Sequence, residues 1–406
     1  MFWPKRIGSG IAAIAVCFLI DSITHHSFGS YEQRIIALVG IYVTLAVSLN
    51  LINGITGQFS IGHAAFYQVG AYLAGFISRR YITDAGHTPP PVLWLIGMIL
   101  VAAAGASIAG FIVGLPSLRL KGDYLAIVTL GFGEIIRILV QNTDALGGSY
   151  ALDKIPKIQE IWLIWLLAFI CIAVCRNLLK TARGLTFLAV REDEIASSAM
   201  GVNVTRVKVT AFVLGSAFAG AAGALLAHYE GLITPATFTM DVSFIILTMV
   251  VLGGTGSITG SVVSAIFLSY LPEYLRTLKG GDGQPLVVSG TAVVAALIVT
   301  VLAVAAIKTV LNRHLFTPQK RGLIYVGIII GAAMLEPLFS LLLHPVPMLA
   351  NMQVAAAQLR MVIFAVTLIV LMLLRPQGVF AHHEFSWDWV KKILGKGPVP
   401  STEVSA

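Results

Sequence analysis

Charge is scarce in this sequence. Asp, Glu, Lys and Arg make up only 11% of its 406 residues, hydrophobic residues make up 57%, and the mean hydropathy is +0.88. Soluble domains carry about 25% charged residues, so these figures exclude a soluble protein and leave an integral membrane protein. The formal net charge of +8 then describes loops, not a nucleic-acid surface. Cysteine is nearly missing: Cys17, Cys171 and Cys175 all fall in apolar runs. That excludes a disulfide framework and a thiolate metal site, and it predicts three small core residues. There is no HExxH, no Cys/His ligand spacing and no nucleophile elbow, so neither a metal nor catalysis is expected. No GxxxxGK[ST] occurs either, so the chain does not cradle a nucleoside triphosphate by that route, and no cofactor of its own is expected.

Long apolar runs are what the chain does have. A spanning helix needs about 20 apolar residues, and such runs fall at about 7–28, 34–54, 60–78, 91–114, 123–141, 158–176, 206–228, 241–256, 257–275, 287–311, 322–344 and 354–374. The expected fold is all-α: a polytopic integral membrane helix bundle of about 10–12 transmembrane segments, with broken or re-entrant helices. Residues 1–380 form the transmembrane domain and 381–406 a cytoplasmic tail. Met1 to Arg6 followed by Ile7 to Ile20 resembles a secretory signal, but no small-residue cleavage site follows, so a first spanning helix is expected. Twelve crossings put both termini on one side. Lys5, Arg6, Arg119, Lys121, Arg313, Lys320, Arg321, Arg375, Lys391, Lys392 and Lys396 fall there with the basic residues of 176–208, which makes that side cytoplasmic. Arg79, Arg80, Lys154, Lys157, Arg276 and Lys279 are exceptions.

The densest charge lies in the 176–208 loop between two apolar blocks, with Arg191, Glu192, Asp193, Glu194, Arg206 and Lys208 close together. Its centre, Arg191 to Met200, reads as one short amphipathic helix stopped by Gly201. Glu192, Asp193 and Glu194 would occupy its first turn, favourable to the helix dipole. Ile195, Ala196, Ala199 and Met200 offer apolar side chains. Such a helix between two spanning helices is a handle for a soluble partner. Gly110 and Gly114, and the series Gly215, Ala219 and Gly223, repeat small residues every four positions, the pattern of close helix packing.

Two segments interrupt apolar runs with breakers and hydroxyls. One carries Asn53, Gly57, Gln58, Ser60 and His63; the other carries Gly253, Gly254 and Thr255. Irregular backbone at membrane depth survives only against protein or a wet cavity, so these segments either line a pathway or are tight turns at helix ends. His63 reads as a packed or capping residue. Glu134 and Arg137, three residues apart, share a helix face. They form an ion pair that fixes packing, or a polar contact at the pathway or a subunit seam. Glu273 and Glu336 lie near the predicted outer ends.

Ser48-Leu-Asn-Leu-Ile-Asn-Gly-Ile-Thr-Gly-Gln-Phe-Ser-Ile-Gly-His-Ala-Ala-Phe66 and Leu120-Lys-Gly-Asp-Tyr-Leu-Ala-Ile-Val-Thr-Leu-Gly-Phe-Gly-Glu-Ile-Ile-Arg137 strongly resemble the LivM-type permease subunits of branched-chain amino-acid ABC importers. So do Arg191-Glu-Asp-Glu-Ile-Ala-Ser-Ser-Ala-Met-Gly201, Val251-Leu-Gly-Gly-Thr-Gly-Ser257 and Leu374-Arg-Pro-Gln-Gly-Val379. The resemblance covers about 35–275 and 354–380. It implies a permease in the bacterial inner membrane, paired with a LivH-type subunit and served by two cytoplasmic ATPases, which alone bind ATP. An extracytoplasmic solute-binding protein would deliver the solute. The 190–201 segment then resembles the coupling helix that docks into the ATPase, although it departs from the general EAA pattern, with Glu194 one place early. About 80 residues, Arg276 to Asn351, are inserted relative to the family, and 276–353 is expected as a peripheral transmembrane hairpin. Leucine, isoleucine and valine are the implied solutes. Urea, short amides or other amino acids are the alternative, since the binding protein does most of the selecting. A secondary transporter coupled through Glu134 is the reading from another class; a channel would leave the polar handle without purpose.

Overall fold

The computed structural model describes residues 3–117 and 123–277, together with 287–289, 294, 295, 298, 299, 353–355 and 366. Eleven helices occupy the continuous part: α1 (Trp3–Ser27), α2 (Ser30–Asn50), α3 (His63–Ser78), α4 (Pro91–Ser117), α5 (Asp123–Gln141), α6 (Ile161–Leu179), α7 (Ala182–Glu192), α8 (Glu194–Ala199), α9 (Val204–Glu230), α10 (Met240–Gly253) and α11 (Ile258–Thr277). Six helical segments among the described residues are long and apolar enough to cross a membrane, and Ala13–Ser27 is a shorter apolar helix. The fold is an all-α polytopic membrane bundle. The first nine expected runs fall on helices α1–α6 and α9–α11 to within a few residues, and of these α2, α4, α5, α6, α9 and α10 are long and apolar enough to cross. The last three, most of the 276–353 insertion and the 381–406 tail lie outside the described residues. Two short strands, β1 (Val287–Ser289) and β2 (Gln353–Ala355), pair antiparallel with Val287 opposite Ala355.

Successive long helices run in opposite directions. The C-terminal ends of α2, α4, α6 and α10 gather with the N-terminal ends of α3, α5, α9 and α11 at one end of the bundle, beside α7 and α8. We call this the α8 pole. Twenty-seven residues of α9 rise about 40 Å at 1.5 Å each, enough to cross a hydrocarbon core of about 30 Å. Most of α2 and α9 is buried, whereas Leu93, Leu100, Ile108 and Ile112 on α4 and Tyr124, Ile127, Ile135 and Leu139 on α5 are exposed. Exposed apolar stripes of this kind suit a lipid environment, the solvent that such side chains prefer. Cys17, Cys171 and Cys175 are all fully buried.

Small residues set the spacing around α9, because lipid supplies no hydrophobic drive between helices and packing must do the work. A Cβ on Gly70 of α3 would meet the Gly220 carbonyl oxygen at 2.1 Å, and one on Gly223 would meet the Tyr67 carbonyl oxygen at 2.2 Å. The Gly110 position on α4 likewise touches Ser216. The spaced small residues of α4 and α9 are thus the contact points that the sequence predicts.

The far pole is closed by hydrogen bonds. His228 on α9 places Nδ1 2.8 Å from the Ala224 carbonyl, which makes Nδ1 the protonated nitrogen and Nε2 an acceptor. Ser78 on α3 then donates to Nε2 (2.8 Å) and accepts from Trp94 Nε1 of α4 (2.8 Å). Arg34 pairs with Glu230 at 2.7 Å and Arg79 with Asp153 at 3.4 Å, while the Lys157 stem lies over Gly231. Of the basic residues that broke the expected charge bias, Arg79 is therefore paired and Lys157 is packed.

The glycine contacts predict an asymmetric mutational response. Gly70→Val forces backbone apart and should cost about 3 kcal/mol or more, read as a lower thermal midpoint of the purified protein in detergent. Gly97→Ala, with open space around it, should leave that midpoint unchanged or raise it.

Candidate functional site

At the α8 pole the two glycine-rich breaks meet. After Asn50, α2 continues through a π-helical turn, Leu51–Ile55, and a loop leads to α3. Asn50 is fully buried and reaches across to the α10–α11 turn: its Oδ1 accepts from Gly256 N at 2.8 Å, and its Nδ2 donates to the Ser257 carbonyl at 3.0 Å. Gly57 (φ +73) and Gly256 (φ +93) hold left-handed backbone that glycine adopts without strain.

Most of the pathway candidates prove to be parts of this junction. Asn53 is spent on its own loop, donating to the Ser60 carbonyl at 2.9 Å and accepting from Ser60 N at 3.2 Å. Gln58 Nε2 donates to the Lys208 carbonyl at 3.4 Å. His63 is fully buried with Nε2 2.9 Å from Ser48 Oγ, a packed residue as expected. Gly253 lies against Gly260 across the connection that carries Gly254 and Thr255. Both segments form turns at helix ends, and Gly57 and Gln58 also line a cavity beside them. Glu134 and Arg137 pair on α5, with Arg137 Nε and Nη2 donating to Glu134 Oε2 at 2.8 and 2.6 Å.

The expected single helix over Arg191–Met200 is corrected. Two helices, α7 and α8, meet at Asp193, whose backbone is extended (φ −155, ψ 111). Asp193 Oδ1 accepts from Ile195 N at 2.8 Å and Ala196 N at 3.0 Å, the bonds of an N-cap. Glu192 therefore closes α7, and of the three acidic residues only Glu194 lies in the first turn of α8. Helix α8 ends as the sequence predicts. Gly201 (φ +84) follows it, with Gly201 N bonded to the Ser198 carbonyl and Val202 N to the Ser197 carbonyl, both at 3.0 Å. This paired arrangement satisfies the last carbonyls.

Held at both ends, α8 presents Ile195 (75% exposed) and Met200 (84% exposed) outward, with Ala196 and Ala199 beside them. Only Ser197 on α8 is buried. Between α7–α8 and the bundle lies a cleft of about 360 Å³, lined by Thr56, Gly57, Gln58, Arg191, Glu194 and Lys208 among others. Lys208 is only 5% exposed, and its Nζ pairs with Glu194 Oε1.

Sequence reasoning missed Asn50, Lys208 and Gln68. Gln68 is fully buried on α3 with neither amide atom hydrogen-bonded, and the Tyr72 hydroxyl one turn on is also unpartnered. A glutamine inside an otherwise apolar segment was the available signal.

A polytopic helix bundle with an apolar, rigidly capped helix exposed at one pole defines the class: a membrane transport permease. Residues 33–306 match the family described as branched-chain amino acid transport system / permease component, and the chain belongs to it. It is 35% identical over 301 residues to the high-affinity branched-chain amino acid transport system permease protein LivM of Salmonella typhimurium, covering 66% of this chain and 67% of that one. LivM of Escherichia coli is 35% identical over 277 residues, 60% of this chain and 63% of that protein. LivH of Salmonella typhimurium is 25% identical over 256 residues, 57% and 81% of the two chains. The chain thus spans about two thirds of the length of these LivM relatives. The family is one of transport permeases, not of enzymes. No solved structure matches the chain.

The two buried amides predict opposite responses. Asn50→Ala strands the Gly256 N–H and should cost about 2–4 kcal/mol, whereas Gln68→Leu removes two unpaired atoms and should be neutral or stabilising by about 1 kcal/mol. Thermal melts of the two variants check both signs.

Proposed function

We propose that the protein is the LivM-like permease subunit of an ABC importer that carries leucine, isoleucine and valine into the cell. The observation that carries this reading is α8: a short helix capped at both ends, with its apolar side chains turned outward, in a chain of this family. An apolar patch on a loop between two spanning helices is a docking surface for a soluble partner. The α8 pole is then cytoplasmic, both termini lie on that side, and the membrane is the bacterial inner membrane.

In this reading Ile195, Ala196, Ala199 and Met200 seat in one of two ATPase subunits, which alone bind ATP. The chain performs no catalysis. A LivH-type permease forms the other half of the bundle, and an extracytoplasmic binding protein delivers the solute at the far pole. ATP-driven movement of the ATPases displaces α8 and alternates access to the pathway. The names of the relatives support the substrate class. The uncharged character of the buried polar side chains Gln68 and Tyr72 in the middle of α3 and Ser243 in the first turn of α10 suits solutes whose side chains need only apolar contact.

Uptake of radiolabelled leucine in cells carrying this subunit with its partner subunits tests the reading. Wild-type uptake should be competed by isoleucine and valine and not by urea. Ile195→Asp with Met200→Asp places two charges in an apolar contact and should lower uptake about tenfold or more, with the subunit still present in the membrane. Leucine uptake at background with the wild-type chain would reject the substrate. Full uptake with the double variant would reject α8 as the docking helix.

A further inference from the structure

Helix α8 is poorly placed to push the bundle directly. It buries only Ser197, and the 360 Å³ cleft separates α7–α8 from the α2–α3 turn. Side chains span the gap at two points. Lys208, at the start of α9, pairs through Nζ with Glu194 of α8, while its backbone carbonyl accepts from Gln58 Nε2 of the α2–α3 turn. One residue thus touches α8 with its side chain and the turn with its backbone. Arg191, two residues before the Asp193 cap, lies over both glycine turns. A Cβ on Gly57 would meet its Cγ at 3.1 Å, and a Cβ on Gly256 would meet its Nη1 at 2.5 Å. Asn50 joins those two turns to each other.

We infer that Lys208 and Arg191 are positioning residues of a two-point linkage, which transmits displacement of α8 across the cleft to the Asn50 junction of the α2–α3 and α10–α11 turns. The inference rests on the docking reading of α8 above and adds the route by which the movement enters the bundle. The physical chemistry favours transmission over slippage. A nearly buried ammonium does not part from the one carboxylate paired with it among the described residues without leaving an uncompensated charge, so Glu194 and Lys208 move together. The Arg191 guanidinium lies against the Gly256 turn that follows α10, and its stem lies against Gly57 in the loop that follows the π-helical extension of α2, so close contact couples it to both turns. The other charged groups lining the cleft are Glu192 and Asp193. Asp193 is engaged in capping, and Glu192 approaches Arg191 Nε only at 4.0 Å, so neither replaces the Lys208 bridge. Two Asn50 hydrogen bonds tie the end of α2 to the α10–α11 turn, so a push on one is carried to the other. Two helix pairs, α2–α3 and α10–α11, would then tilt together at this pole.

The test uses the complete importer in proteoliposomes, with ATP hydrolysis and leucine uptake measured on the same sample. Lys208→Met should keep assembly and ATP hydrolysis while the solute carried per ATP falls about tenfold. The exchange Glu194→Lys with Lys208→Glu should restore at least part of that ratio. Glu194→Gln, at a more exposed site, reads the same bridge if Lys208→Met fails to reach the membrane, and it too should lower the ratio. A ratio within about twofold of wild type in Lys208→Met or Glu194→Gln overturns the linkage. The Ile195→Asp/Met200→Asp variant separates this failure from that of the docking reading. If that variant loses uptake while the bridge variants are normal, docking stands and the linkage falls. If it too is normal, both fall.

Discussion

A Cβ on Gly220 would meet the Ala106 side chain at 2.3 Å, and one on Gly70 would meet the Gly220 carbonyl at 2.1 Å. These approaches, α4 and α3 pressed against one turn of α9, are the constraint on which the bundle depends. In lipid an apolar surface gains nothing by leaving its solvent, so helices associate only where their shapes allow intimate contact. Side-chain bulk is therefore excluded from a narrow track along α9, and α2, α3 and α4 are placed by where that track faces them. The outer stripes of α4 and α5 carry no such constraint, and they are filled with Leu, Ile and Tyr that pack against nothing in the bundle.

Close packing of this kind leaves the two poles to differ. At the far pole Trp94, Ser78 and His228 tie α3, α4 and α9 with each donor matched to an acceptor, and Arg34–Glu230 adds α2. At the α8 pole the helices end in glycine turns, with a cleft beneath α8. That cleft is bridged by few groups: Lys208, nearly buried, reaches Glu194 across it, and Arg191 lies over both glycine turns.

The fold was legible because the signals that produce it are local. Apolar run length places each crossing, and Gly201 marks the end of α8 through a positive φ that other residues resist. The split between α7 and α8 was not legible in the same way. Arg191–Met200 is rich in helix formers, and summed propensity favours one helix; the cap bonds of Asp193 outweigh it. The site was harder still. Asn50 lies about one helical turn inside the end of an apolar run, and its partners, Gly256 and Ser257, are more than two hundred positions away. Lys208 stood in a visible charge cluster, but only the fold reveals that it is buried and that Glu194 is its partner. The glycine-rich breaks were legible as breaks. Their identity as two halves of one junction was not.

Gln68 presents a different balance. An amide fully buried with no hydrogen bond costs free energy that a leucine would spare, yet it sits on α3 one turn from another unpartnered polar group, Tyr72. Phe238 packs edge-on against Tyr72. Nothing in this packing needs a glutamine. That cost is offset by the glycine contacts that fix α3 against α9: Gly70, two positions from each polar residue, lies on the opposite side of the helix.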